Sequence, residues 1–375
     1  MRPTIPTLTA LLLFSLSTPI LARTTSQFRE FFPAWNGYLL DIIDTSCAPE
    51  RDAYHDPSNN KNMLPYKLAN CLLDGMEEFR KTEMGITAVI LGLLPTILQQ
   101  IGPTVAEVTV LASRRPMLAV MLGVAMPSVA TGGGLANPAE ALRKRVDTPI
   151  SGVLARTRWL WVLISAVEYL IASAAIANLF HLLYQLAYLS VSVSAIAINS
   201  GALSQTYTLF LWVLLLVPAY LLGFWALKMR YRPSEQVGNP EEELAERKSW
   251  VHAVRNEFVP CAVGEPLLLT KVDKGPLSVL VQFLTQMASF LIFVFGTVAL
   301  SSQIFISLGD VVPIVVRFIS STLVCRAVLL FELHGLREVT SRSSTKEVAG
   351  LVRDGYGLVS GQDSKAGLAE GGRVA

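Results

Sequence analysis

Residues 83–104 read EMGITAVILGLLPTILQQIGPT, and the fold class turns on whether this stretch crosses a membrane or lies in the core of a soluble helical protein. No side chain between Gly85 and Gly102 carries a charge. As a helix that segment is about 27 Å long, close to the ~30 Å hydrocarbon core of a bilayer. Pro95 in its middle would break a helix in water, because it has no N–H and its ring crowds the preceding turn. In a transmembrane helix it is tolerated, since neighbouring groups re-satisfy the freed carbonyl. Gln99 and Gln100 then fall near the far interface or against another helix. The stretch reads as a first crossing over 85–102.

Composition agrees. Of the 375 residues 52% are hydrophobic and only 16% charged, against about 25% charged in a typical soluble domain. Mean hydropathy is +0.46. The charges gather in a few segments separated by long runs that nearly lack them, the pattern of a multi-pass membrane protein. A net charge of +2 gives no reason to expect nucleic acid as a partner.

Four more runs read as crossings: 159–181, 206–227, 278–300 and 310–331. The last two form a hairpin within 278–332. Met117–Ala130 is too short for a full crossing and reads as re-entrant or interfacial. A seven-span alternative adds 117–131 and 184–203, but leaves the basic cluster Arg143–Arg158 on the outer side. Five spans place the basic clusters at 114–158, 228–232 and 337–353 all inside, as the positive-inside rule demands. The expected fold is therefore all-α and five-span, in the lipid bilayer of a secretory-pathway membrane, with the plasma membrane as destination. Spans 1–3 occupy 85–232 and enclose a basic cytoplasmic loop at 103–158. The N-terminus would lie outside and the C-terminus inside.

Residues 1–22 have the layout of a secretory signal: Arg2, an apolar centre from Ala10 to Leu16, then Pro19 and Ala22. Residues 23–84 form an acidic exported segment containing Cys47 and Cys71. Exported cysteines meet an oxidising compartment, so this pair reads as a disulfide, worth about 3 kcal/mol by the chain-entropy estimate. In the hydrophilic loop 233–277, Asn239, Pro240 and Glu242 signal a helix start. The resulting amphipathic helix, 240–258, places Leu244, Val251, Val254 and Phe258 on one face, suited to the membrane surface or to other loops. The tail, 333–375, is polar, rich in Gly and Ser, and reads as disordered.

Soluble catalytic signatures are absent: there is no Gly-x-Gly-x-x-Gly, P-loop, His-Glu-x-x-His or Gly-x-Ser-x-Gly. His55, His181, His252 and His334 are scattered, so no metal, cofactor or catalytic residue is expected. The candidates for function are ionisable residues inside apolar runs, Glu168 and Arg317. Each costs ~2.5–3.5 kcal/mol to insert, so each needs a partner. A Glu168–Arg317 pair would satisfy both, as a structural ion pair or as part of a polar path. Arg326 lies near enough to the inner end to snorkel.

The block from Cys71 to Val129 resembles a segment of filamentous-fungal multi-pass membrane proteins. The resemblance rests on Leu-Gly-Leu-Leu-Pro-Thr-Ile-Leu at Leu91–Leu98 and on Arg-Arg-Pro at Arg114–Pro116 before a second apolar stretch. It covers about a sixth of the chain. It implies membrane class and lineage, and it carries no activity or catalytic residues. The expected role is accessory, sensor or scaffold, with partners at the exported segment and cytoplasmic loops. The alternative is a transporter or channel with a polar path near Glu168 and Arg317.

Overall fold

A computed structural model describes residues 27–56, 64–130, 142, 158–192, 208–233, 257–264, 266–267, 269–271 and 275–366. The signal-like residues 1–22 and all but the end of the amphipathic helix 240–258 lie outside the described residues. Helices dominate. Three short ones come first: α1 (Asn36–Thr45), α2 (Ala48–His55) and α3 (Leu64–Gly75). The first long helix is α4 (Glu78–Ile101), followed by the short α5 (Val105–Ala112) and α6 (Pro116–Ala125). Then come α7 (Arg158–Leu189), the broken pair α8 (Thr208–Leu214) and α9 (Leu216–Arg230), α10 (Pro276–Ser301) and α11 (Leu308–Ala366).

Five segments are long and apolar enough to cross a bilayer: Glu78–Ile101, Trp159–Leu189, Thr208–Arg230, Pro276–Ser301 and Leu308–Ser343. Their outward faces carry Val89, Leu163, Leu221, Phe283 and Val316, all exposed. In water such a surface would aggregate; in lipid it is at home. This is an all-α multi-pass membrane fold. The ten-residue α6 is too short to cross, and residues 184–189 continue α7 rather than opening another span. Neither extra crossing of the seven-span alternative forms among the described residues.

Two short antiparallel ribbons and one contact fix the relative direction of the spans. β1 (Val191–Ser192) pairs with β4 (Gln303–Ile304), which joins the end of α7 to the end of α10. At the opposite end β2 (Tyr231–Pro233) pairs with β3 (Leu269–Lys271), joining the end of α9 to the approach to α10. The Leu308 N–H donates to Glu83 Oε1 at 2.8 Å, so α4 and α11 start together. Successive spans therefore alternate in direction.

Helices α1–α3 form a cap on the end where α4 and α11 begin. Cys47 and Cys71 are joined by a disulfide, which staples α2 to α3. Trp35, Leu39, Ile43, Tyr54, Leu68 and Leu72 fill the cap core. Phe28 and Phe31 extend that core onto Phe305 of the α10–α11 turn, with ring centroids 6.4 and 5.9 Å away. Phe28 and Phe305 both hold positive φ, 64° and 62°. That conformation is uncommon for a bulky residue, and here the burial of both rings, 2% and 0% exposed, holds it in place.

Local chemistry explains the breaks between helices. Pro218 has no N–H for the preceding turn and crowds the Leu214 carbonyl, and the third span breaks between α8 and α9 just before it. Thr104 starts α5 with a capping box: its hydroxyl accepts the Glu107 N–H at 3.2 Å, while Glu107 accepts the Thr104 N–H at 2.8 Å. Where α10 crosses α8, a Cβ on Gly296 would meet the Trp212 indole, so the close approach requires glycine. α11 continues as helix through Ala366, past the apolar boundary near 332 where a disordered tail is expected, and residues 367–375 of that tail lie outside the described residues.

Candidate functional site

At the end opposite the cap, α5 and α6 fold back as a short hairpin against α7, α9 and α11. Met126–Ala130 returns to the start of that hairpin, where the Ala130 N–H donates to the Pro103 carbonyl at 2.9 Å. The turn between α5 and α6 delivers Arg115 into the protein, 0% exposed. Arg115 precedes Pro116, which fits the first helical position because no N–H is needed there.

Arg115 organises a polar cluster drawn from four chain segments. Its Nη1 meets Glu168 Oε2 of α7 at 2.5 Å and Glu332 Oε2 of α11 at 3.1 Å. Nη2 donates to Ser165 Oγ at 3.2 Å, and Nε donates to the Glu257 carbonyl at 2.8 Å. The loop segment Glu257–Cys261 is held further. Glu257 Oε1 accepts the Leu118 N–H at 3.0 Å and the Tyr169 hydroxyl at 2.6 Å. Ser165 donates to the Phe258 carbonyl at 2.9 Å, and the Cys261 N–H donates to Glu332 Oε2 at 3.0 Å. The Tyr169 ring lies 5.6 Å from the guanidinium carbon. Burial alone would ease the proton off Arg115, but Glu332 and Glu168 outweigh it and keep the side chain charged. Burial, then the neighbouring Glu332, pushes the Cys261 thiol well up, which makes it a poor nucleophile.

Two carboxylates thus share one guanidinium. Glu168 is 4% exposed and Glu332 1%, and each keeps one buried oxygen without a hydrogen-bond partner. The cluster lies deep. Glu332 sits about 36 Å along α11, more than a hydrocarbon thickness from the cap end.

The structure does not bring Glu168 and Arg317 together. Arg317 sits about 14 Å along α11, near mid-depth, and bonds Asn178 of α7 instead. Its Nε and Nη2 both donate to Asn178 Oδ1, at 3.1 and 2.7 Å. A Glu168–Arg317 pair would need to bridge about three turns of helix, since Asn178, level with Arg317, is ten residues from Glu168 on α7; each residue instead takes the partner at its own level. Nor does Arg326 snorkel. Its Nη1 and Nη2 grip the two oxygens of Glu107 on α5, at 2.7 and 2.9 Å. Burial pushes the Glu107 carboxyl up, but the Arg326 guanidinium and the Thr104 hydrogen bonds prevail and hold it below its ordinary value.

Three residues of these ion clusters, Arg115, Glu332 and Glu107, are not marked out by the sequence as partners. By sequence position Arg115 falls in the basic loop 103–158 and Glu332 at the edge of the last span. Glu107 had a signal, since Thr-x-x-Glu at 104–107 is the spacing of a capping box. No group of three or more His, Cys, Asp or Glu suited to a metal occurs among the described residues. An apolar cleft of about 450 Å³ opens between α8–α9 and α10, lined by Leu215, Pro218, Leu222, Leu291, Phe295 and Val298. It offers no polar group to orient a reactant. The chain matches no protein-family model, and no curated protein or solved structure is significantly similar to it.

Proposed function

We propose that this integral membrane protein is a non-enzymatic accessory or scaffold, with its cap exported and its Arg115 end in the cytoplasm. Every nitrogen of the Arg115 guanidinium is spent on the protein itself, tying α7, α11 and the Glu257–Cys261 loop to the α5–α6 hairpin. That observation carries the reading: the most conspicuous buried charges hold segments together. Orientation is supported by Lys228 and Arg230 in the last turn of α9 at the Arg115 end, and by the disulfide in the cap, which suits an oxidising compartment. A secretory signal at 1–22, passage to the plasma membrane and a filamentous-fungal lineage complete the proposal, the last resting on the resemblance at Cys71–Val129. Transport by way of Glu168 and Arg317 has lost the pairing that motivated it.

The test sets native-membrane crosslinking against liposome flux. The full chain is expected to crosslink to other membrane proteins through the cap or the 233–277 loop. In proteoliposomes it is expected to pass protons and potassium no faster than empty vesicles. A flux that Glu168→Gln abolishes at unchanged protein abundance would replace this reading with transport.

A further inference from the structure

We infer that Arg317 is the docking point for a partner transmembrane helix that carries a carboxylate at mid-depth. The inference rests on the accessory reading and gives the partner's chemistry. A guanidinium in the middle of the hydrocarbon is costly unless a counter-charge meets it. Among the described residues the Arg317 guanidinium meets only the neutral amide of Asn178, and both bonds go to one oxygen, Oδ1. Its Nη1 has no partner among the described residues, and the residue is only half-buried, between exposed Val316 and Ser320 on the same helix.

The nearby carboxylates are committed. Glu107 holds Arg326, Glu168 and Glu332 hold Arg115, and Asp310 accepts the Ser307 hydroxyl at 2.8 Å. Snorkelling to the headgroups is opposed by Asn178. It lies at about the same depth as Arg317, about 16 Å from the end of α7, so the guanidinium is drawn sideways.

The surface around the pair suits a helix. Ser173, Ala174 and Ala177 of α7 and Ser320 of α11 are exposed and small, which lets another backbone come close. Above and below them the exposed residues are large: Leu170, Phe180, Val316 and Leu323. A second copy of the chain is the wrong occupant. It would bring another Arg317, and the mid-depth surface described here carries no free carboxylate to meet it.

The experiment uses the full chain with Ala174→Cys in intact membranes, co-expressed with a single-span probe. The probe is a polyleucine helix with one Glu at its centre and a cysteine one turn away; matched probes carry Leu or Gln at the centre. The Glu probe is expected to form the oxidative crosslink roughly tenfold more than the Leu probe. Arg317→Leu should abolish that preference. Asn178→Asp gives Arg317 a carboxylate within the chain, so it should also abolish capture while chain abundance holds or rises. Equal capture of the Glu and Leu probes, or capture that persists in Asn178→Asp, overturns the inference. So does a probe-independent crosslink between two copies that Arg317→Leu removes. Failure here leaves the accessory reading standing on the cap and loop, whereas a liposome flux removes that reading without altering the probe result.

Discussion

At the cap end the fastening is covalent and apolar: a disulfide between α2 and α3, and the rings of Phe28, Phe31 and Phe305 packed edge to face. At the far end it is ionic, one guanidinium shared by two buried carboxylates and a loop carbonyl. The solvents differ as well. A cap in water gains from every apolar group it buries, about 25 cal/mol per Å². A bundle in lipid gains little that way and must rely on packing and polar contacts. Apolar contacts lose stability in proportion to what is removed, whereas an ion cluster fails steeply when one member goes, because the others are left as buried unpaired charges.

The largest effect should follow Arg115→Leu. Two carboxylates would remain buried without their cation, for a loss of about 3–5 kcal/mol, read as a fall in the thermal midpoint of the detergent-purified protein. Adding Glu168→Gln and Glu332→Gln to that variant should recover most of the loss. If the triple variant melts no higher than the single one, charge is not what holds the far end.

Cys47→Ser should come next, at about 3 kcal/mol, and should act on the cap alone. The comparison can be read in one protein through Cys261, which is buried beside Glu332. Maleimide labelling of Cys261 in membranes should accelerate in Arg115→Leu and stay slow in Cys47→Ser. Acceleration in both would mean that the two ends open together.

The smallest effect concerns pH. Glu107 is held below its ordinary value by Arg326 and Thr104, so its contribution is present above the usual carboxylate range, near pH ~4.3, and fades as pH falls through and below it. Stability measured as pH falls from neutral should decline more steeply in the parent chain than in Glu107→Gln. Identical slopes would place the acid sensitivity elsewhere.

The spans were legible in the sequence because the signal is local: an uncharged apolar run of bilayer length announces itself, and Pro95 does not spoil it. The cysteine pair was legible for a similar reason, two cysteines close together in a polar segment. The ion partners were not, because pairing is a matter of depth and rotation that sequence position does not carry. Glu168 and Arg317 were matched as the two conspicuous charges within spans, yet the arginine that meets Glu168 comes from a turn between two short helices. Arg114–Pro116 looked like a loop marking the membrane edge, and only the folded-back hairpin shows that one of its cations points inward. The continuation of α11 past its apolar stretch was hidden too, since Gly and Ser argue against a helix that the preceding turns carry forward.

Arg115 also sets a timetable. Glu168 is made 53 residues after it, but the Glu257 carbonyl it also holds follows 142 residues later. At roughly 5–20 residues per second of synthesis, the guanidinium waits about seven to thirty seconds before that loop exists, and longer for Glu332. During that interval a half-made protein carries a cation with an incomplete set of partners at the membrane. Insertion machinery that shelters early segments until later ones arrive would serve this chain more than one whose contacts are all local. Any slowing of synthesis between the third and fifth spans would lengthen its most vulnerable stage.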